Sequence, residues 1–310
     1  MFSIIIRTYN GARTLDKVIK KILNQQNYDK YVEQFIIVDN ASTDNTKEIV
    51  LKNNIDNNII YSYESKSGLS YARLNGVNLA TAEWTIFVDD DNELDSDWID
   101  TAARYIEDNP EVAIFGGSVI PKLEFEADAA ELDRLKKYHG MLACTNMSRD
   151  EIDFSACKSP FGGIIGAGMV VKTHYLKELA ESGWIKHTGR AKDDTAVGDD
   201  GDISRYIIDK KKEHSGFCPN LIIEHNLPKN RIQEEYLIRL KKNMSEGAYY
   251  NHSVKSFYIL RRMKAFVKII FSRNPYPQNS FDYKMRKISD GVYIRLLVKD
   301  KLFFRKGCGR

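Results

Sequence analysis

The chain has 310 residues, 43% hydrophobic and 29% charged, which excludes a disordered or fibrous protein and allows one large or two moderate domains. No apolar run approaches the roughly 18 residues that span a bilayer, and Arg7 cuts short the only N-terminal apolar segment, so no secretory signal is read. The net charge of +3 hides an asymmetry, because residues 226–310 carry 20 Lys+Arg against 6 Asp+Glu, a balance of +14, leaving −11 on residues 1–225. A basic segment of that kind seeks phosphates. Cys144, Cys157, Cys218 and Cys308 show no paired spacing and read as reduced thiols of a cytosolic protein.

Residues 2–7 read as an apolar strand, and residues 12–26 place Leu15, Val18, Ile19, Ile22 and Leu23 at helical spacing. A strand at 34–39 follows, then Ser42-Thr43-Asp44-Asn45 caps a helix to about residue 52. Strands at 59–63 and 84–88 flank a helix at 69–80; a helix at 98–107 and a strand at 112–119 come next. Strands separated by helices of this length need crossover connections, hence a mainly parallel, Rossmann-like sheet. Residues up to about 159 show no regular period.

The glycine-dense run from Phe161 through Gly166 and Gly168 to Val171 lacks GxGxxG spacing and leads into a strand. Its glycines make either a bulged strand or a close approach of backbone to a ligand or neighbouring strand. A helix to about residue 182, a polar stretch at 186–202, a helix to 211, a strand ending at His225 and a helix at 233–249 complete the ordered pattern. Over residues 257–271, Ile259, Leu260, Met263, Phe266, Val267 and Ile270 gather on one helical side, with Arg261, Lys264 and Lys268 on another. Such a helix either packs as core or lies on an anionic membrane surface.

The chemistry concentrates where the 84–88 strand empties into Asp89-Asp90-Asp91. Strand ends of open α/β sheets bind ligands. Three adjacent carboxylates repel one another unless they are solvated or share a hard cation, Mg²⁺ or Mn²⁺, with a substrate phosphate. The competing reading is an acidic helix start, since Asp95 and Asp97 follow.

Four segments, Ser3-Ile4-Ile5-Ile6-Arg7-Thr8-Tyr9-Asn10, Ile37-Val38-Asp39-Asn40-Ala41-Ser42-Thr43-Asp44, Gly68-Leu69-Ser70-Tyr71-Ala72-Arg73-Leu74-Asn75-Gly76 and the Asp89-Asp90-Asp91 strand end, resemble glycosyltransferase family 2 in order and spacing over residues 2–250. The resemblance implies a GT-A fold and an inverting enzyme that uses a UDP-, GDP- or dTDP-linked sugar with Mn²⁺ or Mg²⁺. It implies a glycan or lipid-linked glycan acceptor. Thr8, Tyr9, Asn10, Asp39 and Arg73 are then expected around the nucleotide, Asp89 near ribose and metal, Asp91 on the metal, and Asp90 as a ribose or supporting contact. Gly198-Asp199-Asp200-Gly201-Asp202 looks like the family's catalytic stretch, with Asp200, or else Asp199, as base; the alternative is a helix cap. His225 is expected to complete the metal's protein ligands or to be structural, and Arg231 to meet the diphosphate or start a helix.

These expectations divide the chain into a catalytic domain at 1–225, with a nucleotide half at 1–92 and an acceptor half at 93–225, and a basic helical extension at 226–310. They place the protein in the cytoplasm, peripheral on the inner face of the plasma membrane, with no nucleic-acid partner. The rival readings are a sugar-nucleotidyltransferase, disfavoured because the first strand ends Arg7-Thr8-Tyr9-Asn10-Gly11 rather than in a glycine-rich loop, and a catalytically inactive nucleotide-sugar-binding protein.

Overall fold

Strand β1 (Phe2–Thr8) is buried at all seven positions, as a central parallel strand covered on both faces requires. This is a computed structural model, and the residues it describes are 1–56, 58–159, 163–183, 199–252, 277, 280–288, 291–292 and 295. After β1 come α1 (Leu15–Leu23), α2 (Tyr28–Tyr31), β2 (Val32–Asp39), α3 (Thr46–Asn53), β3 (Ile59–Tyr63), α4 (Leu69–Leu79), β4 (Trp84–Asp89), β5 (Asn92–Leu94) and α5 (Trp98–Asp108). Then follow β6 (Val112–Leu123), α6 (Ala129–Tyr138), β7 (Met169–Lys172), α7 (Thr173–Glu181), α8 (Asp199–Arg205), β8 (His214–Leu227) and α9 (Glu234–His252).

The strands form one eight-stranded sheet in the order β3-β2-β1-β4-β7-β6-β8-β5. Pairs β1–β2, β1–β4, β2–β3 and β6–β8 are parallel, while β4–β7, β6–β7 and β5–β8 are antiparallel. The α/β architecture expected from the alternating pattern is thus the one observed. On one face, Ile5, Ile36, Val38 and Phe87 pack with Ala72 and Val77 of α4, Leu176 and Leu179 of α7, and Ile203 of α8. Burying such side chains stabilises the fold by about 1.5–3 kcal/mol each.

Several features depart from the sequence pattern, among them the short α2 and β5, which it does not show. Residues 129–138, read as irregular, form α6; only Glu131 and Leu135 on it are buried, too thin a stripe to show a period. Its start is nonetheless a full capping box between Asp128 and Glu131. Strand β8 runs for 14 residues, because β6 pairs with it along most of its length and β5 pairs with its far end. Helix α8 stops at Arg205 and passes into a π-turn over Tyr206–Lys210 instead of continuing to 211. At α3 the first N–H bonds Asp44 at 3.1 Å, and the capping position Asn45 makes no side-chain bond.

The chain divides into two compact units, Met1–Asp194 with Asp199–Lys229, and Thr195–Gly198 with Asn230–Arg310. The second unit holds α9, whose Tyr236 hydroxyl accepts from Arg231 and whose Glu246 pairs with Arg295. Among the described residues no helix is long and apolar enough to cross a membrane. Phe161, Gly162, the polar residues 186–198 and the cationic pattern at 257–271 lie outside the described residues.

Candidate active site

Strands β1, β2 and β4 end together: Thr8 lies opposite Asp39, and Arg7 opposite Asp89. Their register alone forms a shelf at the carboxyl edge of the sheet. Asp39 is buried and accepts from the Tyr61 hydroxyl at 2.9 Å and the Ser42 N–H at 2.9 Å. Burial and that carboxylate keep the proton on Tyr61, raising its pKa. Asn10 adopts a left-handed φ of 53° and accepts from the Thr43 N–H at 2.8 Å, so the loops after β1 and β2 are tied together. Tyr9 stays 51% exposed. Thr8 donates to Asp90 at 2.5 Å, and a Cβ on Gly11 would collide with both groups.

Two further groups of the predicted set meet where β5 and β8 run antiparallel. Asn92 pairs with His225, and Asn226 donates to the Asp91 carbonyl from its backbone at 2.9 Å and its side chain at 3.1 Å. The imidazole is held from behind, with its Nδ1–H donating to the Leu142 carbonyl at 2.9 Å. That leaves Nε2 facing Asp91 Oδ2 at 3.3 Å. Burial opposes charge on His225, but the adjacent Asp91 carboxylate outweighs it and lifts the pKa to about 10.

With Nδ1–H held by the Leu142 carbonyl, release of the Nε2 proton would leave a carboxylate oxygen and an imidazole nitrogen as a donor pair for a divalent cation such as Mn²⁺. Asp89 instead pairs with Arg7 at 2.9 Å. Among the described residues no three His, Cys, Asp or Glu side chains gather as a cation cage. Of the residues expected on a metal, Asp91 and His225 are the two brought together.

Asp200 lies in the first turn of α8, and Asp199 is the first residue of that helix, its side chain outside the described residues. Arg73 Nη2 donates to Asp200 at 2.6 Å, and the Gly166 N–H at 3.1 Å. Burial alone would raise the Asp200 pKa, but the charges of Arg73 and then Arg7 outweigh it and hold the carboxyl below its ordinary range. A Cβ on Gly166 would overlap this carboxylate. The glycine run does make a close approach, but at Gly166 its partner is a side chain of α8 rather than the expected ligand or neighbouring strand. Asp202 is ion-paired with Arg205.

Several residues with evident roles carry no signal in local sequence. Arg7 looks like a continuation of an apolar strand, yet it reaches Asp89. Glu93 is buried, bonded by Lys17, Asn226 and Lys122; these partners outweigh burial and lower its pKa. Asn40 binds the loop before α4 through Lys66 and Gly68. The clue available for Asn226 was its place directly after His225.

Residues 3–156 match the family model described as Glycosyl transferase family 2. The chain is 23% identical over 238 residues to the Glucosyl-dolichyl phosphate glucuronosyltransferase of Haloferax volcanii, covering 76% of this chain and 72% of that one. A PGL/p-HBAD biosynthesis glycosyltransferase of Mycobacterium bovis is 32% identical over 140 residues, 44% of this chain and 54% of the relative, so the chain spans about half the length of that relative. The structure of Mannosyltransferase PcManGT from Pyrobaculum calidifontis, in complex with GDP-Man and Mn²⁺, superposes with a TM-score of 0.54 at 16% identity, covering 97% of this chain and 79% of that one. That likeness shows a common fold.

Proposed function

The chain belongs to glycosyltransferase family 2 and has the GT-A type of fold, and from that premise we propose a metal-dependent, inverting transfer of a sugar from a nucleoside diphosphate to an acceptor hydroxyl. The observation that carries the reading is the Asp91–His225 pair, locked in register by Asn226 at the ligand-binding edge of the sheet. Asp91 and His225 would hold Mn²⁺ or Mg²⁺, which when bound supplies a Lewis acid for the leaving diphosphate. Thr8, Tyr9, Asn10 and Asp39 would line the nucleotide pocket, with Asp89 and Asp90 toward the ribose.

Asp200 would take the proton of the acceptor hydroxyl while that oxygen attacks the anomeric carbon. The bond from carbon to phosphate oxygen breaks in the same displacement, the nucleoside diphosphate leaves with the electron pair, and the anomeric centre inverts. The carboxyl, held below its ordinary pKa by Arg73, is ionised at neutral pH, and its role as base rests on its position rather than on that shift. The donor is UDP-, GDP- or dTDP-linked, and the acceptor is a glycan or a lipid-linked glycan. The lipid carrier named for the haloarchaeal relative supports a lipid-linked acceptor. A catalytic domain at 1–225 and a basic extension at 226–310 on the cytoplasmic face of an anionic membrane complete the reading.

A thermal-shift screen of UDP, GDP and dTDP with Mn²⁺ tests it. A ligand at 100 times its Kd adds about 2.7 kcal/mol of stability. Stabilisation by one nucleotide that vanishes with EDTA and in Asp91→Ala is expected. Undiminished binding in both cases would remove the metal from the reading.

A further inference from the structure

Phe87 of β4 is flanked by two arginines, with the Arg73 guanidinium 4.8 Å and the Arg7 guanidinium 6.0 Å from its ring centre. Each arginine also reaches a carboxylate, Arg73 that of Asp200 at 2.6 Å and Arg7 that of Asp89 at 2.9 Å. Charge thus alternates around one aromatic spacer. Arg73 has no exposed side-chain surface, whereas Asp200 remains 35% exposed. A soluble ligand cannot touch Arg73 without first uncovering it. It can meet Asp200 directly.

The two oxygens of Asp200 are held by different groups, Oδ1 by Arg73 Nη2 and Oδ2 by the Gly166 N–H. Two anchors fix both the position and the rotation of a carboxylate, while one leaves it free to turn. The Phe87 ring, 4.8 Å away, restrains the guanidinium in turn. Displacement of a catalytic group by about 1 Å can cost about 10²-fold in rate.

We propose that Arg73 is a positioning residue for Asp200, clamping its carboxylate with Gly166 so that the exposed edge meets the acceptor hydroxyl, and that it makes no donor contact. The assignment rests on the reading of Asp200 as general base. Arg7, 6.0 Å from the same ring, serves the assembly as its second cation and pairs with Asp89.

The full chain and its Arg73→Lys, Arg73→Met and Asp200→Asn variants test this. Lysine keeps the charge but lacks the planar fork. The probes are calorimetric binding of UDP and GDP with Mn²⁺, and hydrolysis of UDP-N-acetylglucosamine and GDP-mannose, water standing in for the acceptor. Arg73→Lys is expected to bind nucleotide within about twofold of wild type while kcat falls roughly 10²-fold. Weakened nucleotide binding with kcat preserved would overturn the proposal, as would an unchanged kcat.

Asp200→Asn separates the two layers of the argument. Full turnover in that variant would remove the base reading and leave the clamp to be judged by stability. For that purpose, Tm is compared across Arg73→Lys, Asp200→Asn and the double variant. The clamp predicts non-additive changes, because each partner's loss already breaks the shared contact. Strictly additive changes would overturn the clamp even if neither sugar nucleotide is turned over or Arg73→Met does not fold.

Discussion

At Asp200 the rate and the pH response test the same carboxylate. Asp200→Asn preserves volume and removes basicity, so turnover is expected to fall by about 10²-fold or more with nucleotide affinity retained. More than a tenth of wild-type turnover would move the base to Asp199 or Asp202. The folded-state pKa lies below the ordinary carboxylate value, so the pair's stabilisation is present above the unfolded pKa of about 3.9. It is lost as pH falls through the lower, folded value. Urea midpoints of wild type and Asp200→Asn should therefore converge on acidification below the ordinary range. Gly166 supplies a second test. A methyl there overlaps the carboxylate, whereas one on Gly163 meets nothing within 4 Å. Gly166→Ala should lose about 1–3 kcal/mol and most of its turnover, and Gly163→Ala should lose neither.

Among the elements, the short strand β5 has the largest consequence for the site. Three residues long, it is held to β8 by Asn226 and Glu93 as well as by the ladder. Asn226 bonds the Asp91 carbonyl twice and Glu93 once, so it sets where Asp91 stands relative to His225. Asn226→Ala is expected to weaken Mn²⁺-dependent nucleotide binding about 10- to 100-fold, as loss of a group supporting a metal ligand does. Far-UV circular dichroism should be unchanged. Binding at wild-type strength would show that Asp91 needs no tether. Helix α6 makes a different point about legibility. Its capping box is written in Asp128-Ala-Ala-Glu131, yet its weak apolar stripe hides the helix from a periodicity search.

Over the whole molecule, charge is the feature with a measurable consequence. Residues 1–225 carry −11 and residues 226–310 carry +14. Each Lys or Arg near an anionic leaflet contributes about 1 kcal/mol, so the full chain is expected to sediment with anionic liposomes and not with neutral ones. A form ending at residue 252 should lose that binding. Rising salt should weaken it, as the Debye length falls from about 10 Å at 0.1 M to about 3 Å at 1 M. Equal recovery on both lipids, or no effect of truncation, would remove the membrane from the account.

What the sequence by itself determined is local: the alternation of strand and helix through residue 119, the strand end at Asp89 and the four motifs that name the family. Those signals survive because a buried strand or an amphipathic helix writes its period into neighbouring residues. The contacts that make a site of them were decided by tertiary structure. Asp91 and His225 are 134 residues apart, and Arg73 and Asp200 are 127 apart. Their meeting depends on the order of β4, β7, β6, β8 and β5 in the sheet and on the β5–β8 register. No local period encodes that register, since a one-residue slip leaves composition unchanged while sending every side chain to the other face.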